Sequence, residues 1–279
     1  MTTPSQASSN RSQTAGPDSS SRSRLEQLRD ERGPKLGEPI ERSSSSPKPI
    51  SECRRYSQKP GLDVCKAPGD TPPIDGCNCP RCIEVRHQRA VREAYWRDAS
   101  MPPRHAETPP GKLFGTEWQR RLADLTSRLG SGFLIALIGP RGTGKTQKAA
   151  ETIRCATLDR GLPSLYCKIG EFFLELRATY SSQTSTERSV IERHLHPHLL
   201  VLDEIGVRAE TTFEDTMFTL LIDRRYDAMK DTILISNQTR EGLLGSVGKS
   251  IESRLLESGG IIMCDWASFR GRPPGAFGD

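Results

Sequence analysis

Residues 132–146 read GFLIALIGPRGTGKT, an apolar run that passes directly into a glycine-rich loop. The stretch from Gly132 to Ile138 has the length and composition of a buried strand. The loop itself, Gly139, Pro140, Arg141, Gly142, Thr143, Gly144, Lys145 and Thr146, carries the G-x-x-x-x-G-K-T spacing of a phosphate-binding loop. Glycines at 139, 142 and 144 turn without Cβ clashes, so successive backbone N–H groups can face the α- and β-phosphates of a nucleotide. Lys145 would reach the β- and γ-oxygens, and Thr146 would offer its hydroxyl to Mg²⁺. The segment KTQKAAETIRCATL reads as a helix whose positive dipole end meets the same anion. Outside this strand-to-helix context the pattern is only a glycine-rich turn. Within it, ATP and Mg²⁺ are the expected ligands.

The rest of the chain is uneven. Only 34% of the 279 residues are apolar, and proline and serine concentrate before residue 60. Residues 1–50 cannot bury enough apolar surface to offset their ordering entropy, so a disordered Ser/Pro/Arg-rich tail is expected there. Within it, Ser23–Arg32 (SRLEQLRDER) reads as a solvated charge run in preference to a helix. No export signal or membrane-length apolar stretch is visible, so the expected location is cytoplasmic, with no membrane partner. A net charge of +5 is compatible with a nucleic-acid partner without requiring one.

The cysteines divide into two groups. Cys155, Cys167 and Cys264 sit singly in apolar or helical stretches and read as small core residues. Cys53, Cys65, Cys77, Cys79 and Cys82 crowd into a Pro/Gly-rich segment within 51–100 that includes CNCPRC. In a reducing cytosol disulfides are disfavoured, and thiolates at this spacing on a turn can converge on one Zn²⁺. Cys79 and Cys82 form the natural knuckle, Cys65 and Cys77 complete the set, Cys53 is the alternative, and His87 is an outside candidate. The irregular spacing leaves free cysteines in a linker as the competing reading.

Ile83–Asp98 (IEVRHQRAVREAYWRD) has the pattern of a basic helix, and the four prolines of Met101–Gly111 read as a linker. The folded α/β domain is therefore expected over 112–272, with a disordered end at 273–279. Apolar runs at Phe133–Ile138, Ser164–Lys168, Leu199–Leu202, Thr232–Ser236 and Ile261–Cys264 alternate with helical patterns. That alternation predicts a parallel sheet with helices on both faces.

HLLVLDEIG, residues 198–206, places two acids at the carboxyl end of a buried strand, where open α/β sheets bind ligands. Asp203 is suited to hold Mg²⁺ through its water shell, and Glu204 to orient and deprotonate an attacking water. Acids at strand ends also serve as helix caps, which is the competing reading. ILISNQ, residues 233–238, ends another strand in Asn237, whose amide could position that water. Taken alone, a Ser-Asn pair there is a turn. Lys148 and Arg154 read as solvated helix charges.

These motifs together resemble the DnaC/IstB-like branch of AAA+ ATPases, the helicase loaders and transposition helpers. The resemblance covers about residues 100–271 and rests on GPRGTGKT, LLVLDEIG with VRAETTFE, the helix ending IDRRY, ILISNQT, SIESRLLESGG and CDWASFRG. It implies a P-loop sheet in which the Asn237 strand lies between the phosphate-loop strand and the Asp203 strand. Asn237 would then be the sensor 1 residue. Arg254 would project into the nucleotide site of a neighbouring copy, making a homo-oligomer, and Arg270 would act in cis as sensor 2. Guanidinium groups suit that task because they are always charged and stabilise charge developing in phosphoryl transfer. This sequence departs from the family at Ser250, where a second arginine is often found. Arg225 is a weaker inter-subunit candidate, with a helix-end salt bridge as its alternative.

The resemblance further implies single-stranded DNA at ATYSSQTS, residues 178–185, with Tyr180 stacking on a base and Thr179 or Ser181 bonding phosphate. The alternative for Tyr180 is an anchor into the core. The expected function is an ATP-hydrolysing switch in DNA replication, a replicative helicase loader whose Cys-rich front segment grips the helicase. A transposition helper that binds duplex DNA and a transposase is the second reading, and a nucleotide-gated scaffold with little turnover the third. A P-loop kinase fits least, because Glu204 directly after Asp203 suits water activation.

Overall fold

Each of the five apolar runs becomes a strand. In a computed structural model of the chain, the described residues are 80–108, 115–181, 184–209 and 211–270. The strands are β1 (Leu134–Ile138), β2 (Ser164–Lys168), β3 (Leu199–Asp203), β4 (Asp231–Ser236) and β5 (Gly260–Met263). They form one sheet in the order β2-β3-β4-β1-β5, and every neighbouring pair is parallel. β4 lies between β1 and β3, as the resemblance implies.

Alternation along the strands divides the core in two. Ala136, Ile138, Leu200, Leu202 and Leu234 face one cluster. That cluster is completed by α5 (Ile169–Ala178), α6 (Glu187–Leu195), α7 (Thr212–Asp227), α8 (Arg240–Val247) and α9 (Lys249–Ser258). Ile135, Leu137, Val201, Ile233 and Ile235 face the other, closed by α3 (Thr116–Ser127) and α4 (Lys145–Arg154). Both faces of the sheet are thus covered, as parallel sheets require.

The second face also corrects two sequence expectations. α1 (Pro80–Asp98) and the one-turn α2 (Pro103–Ala106) pack onto it, so the folded unit reaches back well before residue 112. The reason is apolar: Ala99 is fully buried in this cluster, with Trp96 and Met101 against it. The Ala99 carbonyl also accepts the Tyr166 N–H at 2.8 Å, extending the hydrogen bonding of the edge strand β2. Pro103 is tolerated in α2 because an N–H in the first turn has no intrahelical acceptor, so its absence forfeits no helix bond. The segment read as a linker is fastened to α4, since Gln147 donates to the His105 carbonyl at 3.3 Å and Arg154 to that of Ala106 at 2.7 Å.

Arg225 fits neither sequence expectation. It is fully buried at the amino ends of the strands. Its guanidinium donates to the carbonyls of His194, Pro197, His198 and Asp231 at 2.7–3.2 Å and to Thr232 Oγ1 at 2.9 Å. Burial pulls its pKa down, and the oxygens around it supply the compensation. It ties the carbonyl end of α6 to the starts of β3 and β4, so neither a neighbouring subunit nor a side-chain acid is its partner. Beside it, the buried Asp231 carboxylate accepts the N–H groups of Gly132 and Phe133 at 2.8 and 3.2 Å and fixes the entry to β1.

Candidate nucleotide site

The register brings the ends of β1, β3 and β4 to one edge, with Ile138 beside Ser236 and Leu202 beside Leu234. The phosphate loop leaves β1 here, Asp203 ends β3, and Asn237 follows β4, exposed. Gly144 takes the left-handed conformation, φ 76°, immediately before α4. At Gly139 and Gly142 the need is for space as well as turning. A Cβ on Gly139 would lie 2.2 Å from the Cys264 carbonyl oxygen, and one on Gly142 would lie 2.1 Å from Ser268 Oγ. The segment after β5 therefore runs directly against the loop.

Lys145 is buried, and its Nζ donates to the carbonyls of Gly139 and Pro140, both at 2.7 Å. Burial lowers its pKa. Thr146 Oγ1 donates to Asp203 Oδ2 at 2.9 Å, joining the first turn of α4 to the end of β3. A hydroxyl and a carboxylate at that distance are hard oxygen donors of the kind Mg²⁺ takes alongside water and phosphate. The same Oδ2 accepts Tyr166 Oη at 2.9 Å, while Oδ1 accepts the Glu204 N–H at 2.7 Å. With the neighbouring carboxylate, burial of the Tyr166 phenol drives its pKa up, so it stays a donor.

Glu204 sits in the left-handed region at φ 63°, a conformation that costs a non-glycine residue about 1 kcal/mol. The turn lifts its side chain off the sheet, and Oε1 accepts Lys168 Nζ at 3.1 Å. This hydrogen bond raises the lysine pKa. Lys168 is the last residue of β2, paired in register with Asp203.

The arginines part company. Arg270 is exposed beside the phosphate loop, its Cγ 3.3 Å from where a Cβ of Gly142 would stand. Arg254, on α9, is half-buried against its own chain. It pairs with Asp223 Oδ1 at 3.2 Å, bonds Ser250, and lies 5.4 Å from the centroid of the Tyr226 ring.

Lys148 and Arg154 are not solvated charges. Lys148 is completely buried, donates to the Trp118 carbonyl at 2.9 Å and lies between the Trp118 and Trp266 rings, 4.8 and 5.0 Å from their centroids. Burial lowers its pKa to about 8. Arg154 stacks over Trp96 at 4.6 Å and pairs with Glu151 at 3.3 Å.

Tyr180 is 69% exposed, which rules out a core anchor; its ring lies 6.2 Å from that of Phe213. The hydroxyls of Thr179 and Ser181 donate to the carbonyls of Leu176 and Ala178, at 2.7 and 3.3 Å, and so finish α5. Cys82 is buried in the first turn of α1 and His87 is exposed on the same helix. Cys53, Cys65, Cys77 and Cys79 lie outside the described residues, as do the expected N-terminal tail and the Ser23–Arg32 charge run. Among the described residues no three His, Cys, Asp or Glu side chains gather as a metal site, and no helix is long and apolar enough to cross a membrane.

The family described as IstB-like ATP binding protein matches residues 84–248, more than half of the chain. The chain belongs to this family. The replicative helicase loader DnaC of Escherichia coli K12 is 27% identical over 138 residues, which is 49% of this chain and 56% of DnaC. The chain thus spans about half the length of the curated helicase loaders it matches. The uncharacterized protein YdaV of the same organism is 31% identical over 201 residues, 68% of this chain and 79% of YdaV. AMPPCP-bound DnaA from Aquifex aeolicus superposes with a TM-score of 0.50 at 20% identity, covering 60% of this chain and 51% of DnaA, a likeness of fold.

Four residues of this IstB-like chain stand at the site without a signal that sequence reasoning used. Tyr166 and Lys168 belong to SLYCK, where strand alternation alone assigns them only a face; a lysine ending a buried strand was the available hint. Trp118 and Trp266 donate to loop carbonyls from positions far away in the chain. Nothing local to Trp118 marks that contact, and CDWASFRG presents Trp266 only as part of a matched motif.

Proposed function

We propose that this IstB-like protein is a Mg²⁺-dependent ATPase acting in DNA replication as a replicative helicase loader that binds single-stranded DNA. The observation that carries this reading is the gathering of Lys145, Thr146, Asp203, Glu204 and Asn237 at one sheet edge, in a chain similar to a helicase loader. Lys145 exchanges its loop carbonyls for the β- and γ-phosphate oxygens. Thr146 and Asp203 would hold Mg²⁺, which would supply positive charge against that of the phosphates. Glu204, released from Lys168, takes the proton of the attacking water, and Asn237 orients that water. Arg270 meets the γ-phosphate in cis. Arg254 meets that of an adjacent copy once it leaves Asp223, which makes hydrolysis depend on assembly into a homo-oligomer.

Tyr180 supports the single-stranded DNA reading, because an exposed aromatic at a helix end offers a base a stacking surface. For the Cys-rich segment the proposal is Zn²⁺ at Cys65, Cys77, Cys79 and Cys82, with Cys53 as alternative. Zinc content of the purified chain against a Cys79→Ser variant tests it. A second reading, supported by the sequence resemblance to transposition helpers, is a helper ATPase with a transposase partner and duplex DNA.

The deciding experiment is steady-state ATP hydrolysis with and without single-stranded or duplex DNA, for wild type, Glu204→Gln and Arg254→Ala, followed by capture of a purified replicative helicase. Stimulation by single strands and loss of turnover in both variants with ATP binding retained is expected. Stimulation by duplex alone, with no helicase capture, moves the reading to transposition. A wild type no faster than Glu204→Gln under every condition leaves a nucleotide-gated scaffold.

A further inference from the structure

Three consecutive carbonyls of the phosphate loop are tied to groups from elsewhere in the chain. Gly142 O accepts the Phe269 N–H at 2.8 Å. Thr143 O accepts the Trp266 indole N–H at 2.9 Å, and Gly144 O accepts that of Trp118 at 3.3 Å together with the Lys148 N–H at 2.8 Å. A trans peptide sets its C=O and the following N–H antiparallel. Fixing the carbonyls of 142, 143 and 144 therefore fixes the direction of the N–H groups of Thr143, Gly144 and Lys145. Those N–H groups are the ones that a phosphate-binding loop turns toward its ligand.

The two indoles are locked together. Lys148 Nζ sits between the rings and donates to the Trp118 carbonyl. A fully buried ammonium is ordinarily paired with a carboxylate. The partners observed for Lys148 among the described residues are instead two π faces and one carbonyl. On the far side, residues 264–270 form no helix or strand, and they are fastened to the end of β1 and to the loop. Cys264 N–H donates to Ile138 O at 2.7 Å, ahead of the Trp266 and Phe269 bonds. The absence of room for a Cβ at Gly139 and Gly142 records how close that approach is.

We infer that Trp118 and Trp266, locked by Lys148, are positioning residues for nucleotide binding. They preset the amides that cradle the phosphates, and they make the segment after β5 a working part of the site. This rests on the phosphate-site reading of the loop; Lys145→Ala, titrated alongside wild type, tests that reading by itself.

Trp266→Phe and Trp118→Phe keep an aromatic face for Lys148 and remove the N–H donor, together with the volume of one fused ring. By calorimetric titration of the full chain, each variant should bind Mg-ATP and Mg-ADP about three- to tenfold more weakly, the range expected for one lost hydrogen bond. The factor should be the same for both nucleotides, since the affected amides face phosphates that both share. The unfolding temperature of nucleotide-free Trp266→Phe should stay near the wild-type value, while that of Trp118→Phe should fall because the buried ring leaves a cavity. Affinities within twofold of wild type for both variants, or a loss of affinity confined to the destabilised Trp118→Phe, overturn the inference. A second readout needs no variant. In the ¹⁵N-labelled wild type, ADP should shift the indole N–H signals of Trp118 and Trp266 and leave Trp96 in place, and two unmoved signals overturn the inference equally.

Discussion

The two ends of this sheet carry charge in opposite ways. At the amino ends, Arg225 and Asp231 are buried and their bonds run almost entirely to backbone carbonyls and N–H groups. At the carboxyl ends, Lys145 holds two loop carbonyls and Glu204 holds Lys168. Backbone partners at the amino end are fixed by the strands themselves, so those charges have nothing left to offer a ligand. Partners at the carboxyl end are side chains or loop carbonyls, groups of a kind that phosphate or water can replace. Burial of a charge does not separate structure from function here; the replaceability of its partners does.

The largest effect should come at the amino end. Arg225→Ala leaves several buried carbonyls without donors and should lower unfolding free energy by about 3–5 kcal/mol in chemical denaturation. Lys145→Ala, measured the same way, should change stability little and abolish nucleotide binding. Equal destabilisation by both would break the comparison.

Next in size is Glu204→Gln, expected to slow hydrolysis by about 10²–10⁴-fold with ATP affinity and unfolding temperature kept. A parallel loss of stability would place Glu204 with the amino-end group.

Lys148 sharpens the comparison from the carboxyl end. Its folded pKa of about 8 lies below the ordinary lysine value of 10.5, so the unfolded chain binds the extra proton between those values. Its contribution to stability should be flat below pH 8 and rise between about pH 8 and 10.5, by up to roughly 3 kcal/mol. Subtracting the unfolding free energy of Lys148→Met from that of wild type isolates this rise from the cysteines and tyrosines that titrate nearby. A flat difference across the window would show that the two indoles stabilise the ammonium fully.

The smallest effect on the fold belongs to Tyr180→Ala, where stability should not move. Binding of a fluorescent single strand should weaken by about 5- to 100-fold if one base stacks there. Unchanged binding would remove Tyr180 from the DNA reading.

Much of this architecture is legible in the sequence because its signals are local. The five apolar runs are bounded by polar and glycine-rich stretches, and the strands fall within one residue of the expected positions. The phosphate loop and Asp203–Glu204 are likewise written in consecutive residues. What escaped depends on residues far apart in the chain. Lys148 looks like a solvated helix charge until Trp266 is brought to the loop across a separation of 123 residues from Thr143. Arg225 looks like a surface charge until the end of α6 and the start of β4 surround it. The proline-rich stretch looks like a linker until Trp96, Ala99 and Met101 are seen to fill the second core. The cysteine cluster carries no such comparison, since four of its five members lie outside the described residues.

The strand order also sets a timetable. β1 is flanked by β4 and β5, with Leu134 beside Thr232 and Ile135 beside Gly260. During synthesis the most apolar strand must therefore wait for partners made 98 and 125 residues later, on the order of ten seconds at ordinary elongation rates. The loop that grips phosphate is translated early and becomes usable late, after the ribosome has released residues 260–270. Nucleotide occupancy in a nascent chain would thus report that this last stretch has been delivered and docked.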